Sequence, residues 1–155
     1  LILDRALYEY RRDIAGTSGI EYLSTVCRND ADIKNLCTAF RLKRRKALPE
    51  NAENFFYDGG AISVPVLMLF VKEPEKAKNA LGATEYGTLA LELADKKASP
   101  SECEKALEEK YYAGLMKVKD DIFGSGKVVA YAILYEKWLC DLRLLLTAKK
   151  VGKTI

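Results

Sequence analysis

The side chains that most often carry chemistry in proteins are scarce in this sequence. Histidine is absent, which removes the commonest general acid or base and the commonest metal ligand. The four cysteines, Cys27, Cys37, Cys103 and Cys140, show no C-x-x-C spacing and have no histidine to complete a zinc site. We interpret them as reduced, buried thiols, and we predict no catalytic residue, no metal site and no cofactor.

A run of basic residues forms the densest charge cluster of the chain, and it consists of Arg41, Lys43, Arg44, Arg45 and Lys46. Such a run can contact an acidic protein or anionic lipid headgroups, but it is also typical of a solvated helix end. Helical residues advance by about 100° each, so these side chains point around the axis and suit a protruding helix end better than a one-sided groove. We keep both interpretations and treat the five residues as a candidate partner contact.

Two further polar patterns have structural as well as functional interpretations. Asp32 and Asn35 lie one helical turn apart, and they can form hydrogen bonds either across an interface between domains or locally, as a cap or to a nearby turn. The Gly-Ser-Gly segment at 124–126 is followed by Lys127, but it lacks the G-x-x-x-x-G-K-[ST] pattern of a phosphate-binding loop. The net charge of +3 is too small to indicate binding to nucleic acid.

The elements that must position these residues are predicted to be helices. The chain has 155 residues, of which 49% are hydrophobic, and this suits one ordinary domain or two small ones. Apolar residues recur at three- and four-residue spacing over 3–16 and 20–45, which predicts two helices. Within the second helix, Asn29 and Asp30 favour a kink as much as a straight course.

The middle of the chain is predicted to hold a connector with a short helix, followed by further helices. Two brief helices are expected to open at Pro65 and near Pro74, and another is expected over 84–98. The clearest start signal is the Ser-Pro-Ser-Glu segment at 99–102, which combines an N-cap, a proline at the first helical position and a capping box. A helix from Pro100 to about residue 122 follows from it.

The last predicted helix covers 127–150 and carries a wide apolar stripe at helical spacing, which we expect to be largely buried. No segment of the chain shows convincing period-two alternation, so the predicted fold class is all-α. The stripe consists of Val128, Tyr131, Ala132, Tyr135, Trp138, Leu139, Leu142, Leu145 and Leu146.

The two ends of the chain resemble one another. The segment 3–7, Leu-Asp-Arg-Ala-Leu, matches the segment 103–107, Cys-Glu-Lys-Ala-Leu, and each opens a helix that stops at a break of small residues. A long helix with a basic end follows each break. We therefore predict that 3–45 and 103–150 form the same two-helix arrangement, with short helices between them.

Three segments carry a resemblance to a known family. Asp32-Ile33-Lys34-Asn35-Leu36, followed by Thr-Ala-Phe-Arg-Leu-Lys at 38–43, resembles the D-x-x-N-L-x-x-x-x-R-x-K segment that ends each repeat in the C-type subunit of archaeal and bacterial A/V-type ATPases. The eukaryotic counterpart is designated by the letter d. The segment 138–152 is similar to the last repeat of the same family, although Trp138 and Asp141 replace the Asp and Asn of the motif. Between them, the Asp-Gly-Gly turn at 58–60 resembles the glycine pair that ends the family's connector.

The resemblance covers about residues 3–152 and implies a pseudo-threefold, funnel-shaped, all-helical protein of three related repeats. This chain is then expected to hold two helical-hairpin repeats with long helices: the second repeat, in part, in 1–60 and the third in 61–155. With the first repeat absent, we expect an exposed apolar face that drives self-association. Its expected members are the first helix, through Leu3, Leu7 and Tyr10, and the stretch 64–71.

The resemblance also implies a function, that of a non-catalytic connector in the central stalk of a rotary A/V-type ATPase. The connector would couple the central shaft to the membrane rotor ring for ion transport, with the shaft and the ring as its partners. We expect a cytoplasmic protein that is peripheral to the membrane, and whose contact with the membrane is indirect through the ring. The alternative is a generic helical adaptor or scaffold that binds another protein, which the repeat alone would allow.

Overall fold

The computed structural model describes residues 2–45, 47–119 and 124–152, and the regular elements in these residues are helices. A short 3-10 helix, Ala52–Phe55, lies between the second and third α-helices. The all-α prediction is confirmed for the described residues. The α-helices in these residues are α1 (Ile2–Thr17), α2 (Glu21–Lys43), α3 (Val64–Lys72), α4 (Pro74–Gly82), α5 (Gly87–Asp95), α6 (Pro100–Lys119) and α7 (Ser125–Lys150).

A local start signal accounts for the beginning of α6. The capping box at the start of α6 is complete, because the Ser99 N–H donates to the Glu102 carboxylate at 2.6 Å and the Glu102 N–H donates to the Ser99 hydroxyl at 3.2 Å. α2 runs unbroken through Asn29 and Asp30. The helix predicted over 84–98 is shorter than expected, and it begins only at Gly87.

A side-chain hydroxyl explains the late start of α5. The Thr84 hydroxyl donates to the carbonyl of Leu81 at 2.8 Å and accepts the N–H of Gly87 at 3.1 Å, which holds this segment in a turn. A Cβ atom at Gly87 would lie 2.0 Å from the same Leu81 carbonyl oxygen. Only glycine therefore fits where the turn meets the helix.

The described residues belong to two compact units, one reaching Tyr111 and the other beginning at Tyr112. We call them the first unit and the second unit. The core of the first unit draws on both sides of residue 60, since Phe40 of α2 packs edge to face on Phe70 of α3 with ring centroids 5.5 Å apart. The assignment of repeats to 1–60 and 61–155 stays a prediction.

α2 contributes most of the core of the first unit. Nine of the twelve residues from Ala31 to Leu42 are buried, and Leu36 and Ala39 have no exposed surface. Each fully buried Leu, Ile, Phe or Met contributes about 1.5–3 kcal/mol, so this packing fixes the position of α2 and of the polar groups on it. The other side chains of this core with no exposed surface are Leu67, Phe70, Ala77, Leu81, Ala90, Cys103 and Leu107.

The prediction that the last helix is largely buried is wrong. Among the described residues of α7, Ala130 is the buried one, whereas Trp138 is 56% exposed and Tyr131 is 60% exposed. The physical reason is that the helix is apolar on more than one side. The apolar stripe is therefore exposed among the described residues.

The expected exposed apolar face is found only in part. Leu3, Leu7 and Tyr10 of α1 are exposed, as predicted. The expectation for 64–71 is wrong, because Leu67 and Phe70 have no exposed surface and belong to the core of the first unit. Self-association of the chain stays a prediction.

The cysteines differ in their surroundings. All four are free thiols. Cys37 and Cys103 are buried, Cys27 is half-buried and Cys140 is exposed, so the prediction of burial is wrong for Cys140. Cys140 lies on α7, and its exposure has the same cause as that of the apolar stripe.

In the part of the chain that the structure describes, we find no helix with the length and apolar character needed to span a membrane.

Candidate functional site

Asp32 is a buried carboxylate that holds the connector between α2 and α3. Its two oxygens accept the backbone N–H groups of Ala61 and Ile62, each at 3.0 Å, and only 2% of the residue is exposed. Burial raises the pKa of the Asp32 carboxyl above its ordinary value, and the two N–H bonds oppose that rise. The carboxylate therefore anchors backbone rather than facing solvent.

Asn35 performs the same task one turn further along α2. Its Nδ2 donates to the carbonyl of Tyr57 at 2.9 Å, and its Oδ1 accepts the N–H of Tyr57 at 2.7 Å. Asn35 has no exposed surface, so both backbone groups of Tyr57 rely on it. We call Asp32 and Asn35 together the α2 clamp. Of the two hypotheses for this pair, the hydrogen bonds to a nearby turn are confirmed.

The glycines of the connector allow its close approach to the α2 clamp. A Cβ atom at Gly60 would lie 2.3 Å from the Asp32 Oδ1, well inside contact distance. Gly59 has a φ of 96°, a conformation that side-chain-bearing residues rarely adopt. The Asp-Gly-Gly turn is therefore required by the geometry of the clamp.

α1 holds the same connector from a second direction. The Arg5 guanidinium donates to the carbonyls of Asn54 at 3.0 Å and Phe56 at 2.6 Å. The ring of Tyr8 packs edge to face on Tyr57, with centroids 5.0 Å apart. Burial raises the pKa of Tyr8 to about 12, and its hydroxyl has no hydrogen-bond partner among the described residues. Sequence reasoning did not find this contact, because nothing local to α1 indicates it.

The basic run contacts its own unit at three positions. Arg41 forms an ion pair with Glu104 of α6 at 2.7 Å, and the Arg44 guanidinium donates to the Ala98 carbonyl at 3.2 Å. The Lys43 ammonium lies 4.3 Å from the centre of the Phe70 ring, and burial lowers its pKa. These three side chains therefore tie the end of α2 to α3, to α6 and to the loop after α5.

The other two members of the basic run are placed differently. Arg45 is exposed, and Lys46 lies outside the described residues. A cavity of about 200 Å³ lies beside the run, lined by Phe40, Lys43 and Arg44 together with residues 94, 97 and 98, and it is smaller than the roughly 300–1,000 Å³ of ordinary ligand pockets. The role of the run as a partner contact stays a prediction.

An exposed apolar surface of the second unit lies on α7. Tyr131 and Tyr135 stack with centroids 6.3 Å apart, and Tyr135 and Trp138 stack with centroids 5.8 Å apart, so three aromatic rings form one continuous ladder. The apolar spacing that reveals this surface is visible in the sequence, but sequence reasoning assigned it to the core.

In the described ranges, 2–45, 47–119 and 124–152, no group of cysteine and carboxylate side chains is placed to hold a metal ion.

The described residues form an all-helical scaffold with a clamped connector and an exposed apolar helix face. The chain matches the sequence model of the ATP synthase (C/AC39) subunit family over residues 1–153. It therefore belongs to this family, and the resemblance noted from the sequence is confirmed. The family is a structural, non-catalytic subunit of A/V-type rotary ATPases, and membership implies association with other subunits of that enzyme. Comparison with curated protein sequences and with solved structures gave no match.

Proposed function

We propose that this chain is a connector of the central stalk, which passes torque between the rotary shaft and the membrane rotor ring. The observation that carries the proposal is the family match over residues 1–153. In this proposal the protein works at the cytoplasmic side of the membrane, peripheral to it, and touches the membrane only through the ring. ATP hydrolysis and ion movement are performed by other subunits.

The first unit supports this proposal because its connector is fixed at several points, as a torque-bearing part needs. Its connector is held by four backbone hydrogen bonds from the α2 clamp and by the α1 contacts of Arg5 and Tyr8. Breaking a buried hydrogen bond so that one partner is left unsatisfied costs about 1–3 kcal/mol. Surface ion pairs such as Arg41 with Glu104 contribute only about 0–1 kcal/mol, so the clamp and the core dominate the stiffness of this unit.

The exposed surfaces support the same proposal. A connector needs contacts for partners on its outside, and α7 offers exposed aromatic residues while Arg45 offers an exposed positive charge. Aromatic residues and arginine are the residue types enriched at the centres of protein interfaces. We therefore assign partner contacts to α7 first and to the basic run second.

Coupling can be tested in membrane vesicles that carry a rotary ATPase stripped of its own subunit of this family. We expect that adding the chain restores the ATP-driven ion gradient, because torque again reaches the ring. The Asn35→Ala variant should restore less than wild type at a temperature where its connector is loosened, and Asn29→Ala, on the same helix, is the matched control. Wild-type protein that binds to the vesicles without changing the gradient would contradict the connector role.

A further inference from the structure

Six exposed apolar residues on α7 follow the spacing of a coiled-coil seam. They are separated by three, four, three, four and three positions, which is the a and d pattern of a heptad repeat. Their exposed fractions run from 37% for Leu142 to 71% for Val128. We call these residues the α7 seam: Val128, Tyr131, Tyr135, Trp138, Leu142 and Leu145.

The α7 seam is separate from the more buried side of α7. Ala130 is buried and Ile133 is half-buried, and both fall at heptad positions on the opposite side of the helix from the seam. The three aromatic rings of the seam are 50–60% exposed. Since a buried aromatic side chain covers about 150–250 Å², the rings alone leave about 300 Å² of apolar surface open. That already reaches the largest patch of an ordinary monomer, roughly 300–600 Å².

We propose that the α7 seam binds an amphipathic helix of another subunit, in a left-handed coiled-coil crossing, and that this helix is acidic at both ends of the contact. The proposal deepens the proposed function and rests on it for the identity of the natural partner. Knobs at three- and four-residue spacing fit a facing helix with the same spacing. From residue 128 to residue 145 the seam is about 26 Å long at 1.5 Å per residue, so the partner helix needs about five turns.

The charged residues near the α7 seam indicate the charge of the partner helix. Lys127 lies at one end of the seam and Lys149 and Lys150 lie at the other, all exposed. Near the middle, the Asp141 carboxylate forms an ion pair with Lys137 on the same helix, so it leaves little negative charge for an incoming helix. In the described residues these end charges are positive, and acidic residues on the partner complement them.

The same charges disfavour a second copy of this chain as the occupant. A parallel pair places each end lysine opposite its own counterpart and Trp138 against Trp138. An antiparallel pair that aligns Val128 with Leu145 brings Lys127 within one turn of Lys149 of the other copy. Like charges meet in both directions, and such contacts are unfavourable.

Two synthetic peptides test the seam directly. Both carry leucine at the a and d positions of three heptads, and they differ only in having glutamate or lysine at the flanking positions. The chain contains a single tryptophan, and Trp138 lies in the seam, so its fluorescence reports occupancy. We expect the acidic peptide to bind, to shift the emission to shorter wavelength, and to bind at least about tenfold more tightly than the basic peptide.

Adjacent residues provide a matched pair of variants. Leu145 is in the seam and Leu144 lies on another side of α7, and their exposed fractions are 53% and 64%. We expect Leu145→Gln to weaken binding of the acidic peptide about tenfold, since one leucine contact is lost, and Leu144→Gln to leave it unchanged. Circular dichroism of both variants checks that α7 is still helical.

Three results would overturn the α7 seam: no binding of the acidic peptide, equal binding of both peptides, or equal loss in the two leucine variants. A fourth contradicting result can come from sedimentation of the chain alone. If the chain is a dimer and the Trp138 emission changes on dilution, the occupant of the seam is a second copy of the chain. The connector role is separable from these outcomes. If the acidic peptide binds but the vesicle gradient is not restored, the α7 seam is supported and the connector role is contradicted. If the gradient is restored but the peptide does not bind, only the α7 seam is contradicted.

Discussion

Loss of the Asn35 side chain should destabilise the first unit far more than an ordinary substitution on α2. In Asn35→Ala the N–H and the carbonyl of Tyr57 lose the partners that now lie at 2.7 and 2.9 Å. Because Asn35 has no exposed surface, water does not replace it without opening the packing around α2. Each of the two orphaned groups costs about 1–3 kcal/mol, so we expect the free energy of unfolding to fall by about 2–6 kcal/mol.

That loss is a large share of the roughly 5–15 kcal/mol by which a domain is stable. Urea unfolding followed by circular dichroism measures it, with the slope of the transition checked for constancy between variants. Asn29→Ala is the control, since Asn29 is half-buried on the same helix and outside the α2 clamp, and it should cost less than about 0.5 kcal/mol. Equal midpoints for the two variants would refute the claim that Asn35 holds the connector.

Three further outcomes test the burial of a thiol, the fit of a glycine and the titration of a carboxyl. A thiol reagent added to native protein should label exposed Cys140 first and Cys37 last, because burial raises the pKa of Cys37 to about 12; equal rates would contradict its burial. Gly60→Ala should lower the free energy of unfolding by more than about 1 kcal/mol, because its Cβ would lie 2.3 Å from the Asp32 carboxylate. Gly16→Ala has open space around the new Cβ, so it should raise the free energy of unfolding by up to about 1 kcal/mol. Urea unfolding measures both changes. Burial raises the pKa of Asp32 above its ordinary value of 3.8. Just above pH 3.8 the folded protein therefore still holds a proton that the unfolded chain has released. The free energy of unfolding should then fall as the pH is raised above 3.8. The contribution of Asp32 is the free energy of unfolding of the wild type minus that of Asp32→Asn, measured over the same pH range. If this difference grows with pH instead of falling, the pKa of Asp32 is not raised.

Interactions between near neighbours in the chain were the predictable part of this fold. The capping box at the start of α6 was identified from four consecutive residues, and both of its hydrogen bonds are present. The course of α1 and α2 followed from apolar spacing alone. These predictions succeed because the groups that interact are separated by one helical turn.

The contacts of the α2 clamp depended on the tertiary fold. The spacing of Asp32 and Asn35 places both on one face of α2, but their partners lie 22 to 30 residues away in the connector. No local pattern shows whether the hydrogen-bond partners of such a pair lie in a nearby turn or in a neighbouring domain. The structure decides between them because the connector folds back across α2.

The exposure of α7 shows a different limit of sequence reasoning. Apolar periodicity indicates that a helix face will be covered, but it does not say whether the cover comes from the same chain. The stretch 64–71 was expected to be exposed and supplies Leu67 and Phe70 to the core, whereas Trp138 was expected to be buried and is exposed. An apolar face that is left open marks a surface for another molecule.

The central claim, that this chain joins the shaft to the ring, is tested most directly by a bridging measurement. Purified rotor ring is immobilised in detergent and incubated with purified shaft subunits, with and without the chain. We predict that the ring retains the shaft only when the chain is present, in equal amounts of chain and shaft. Retention of the shaft to the same extent without the chain, or failure of the chain to bind either one, would contradict the connector role.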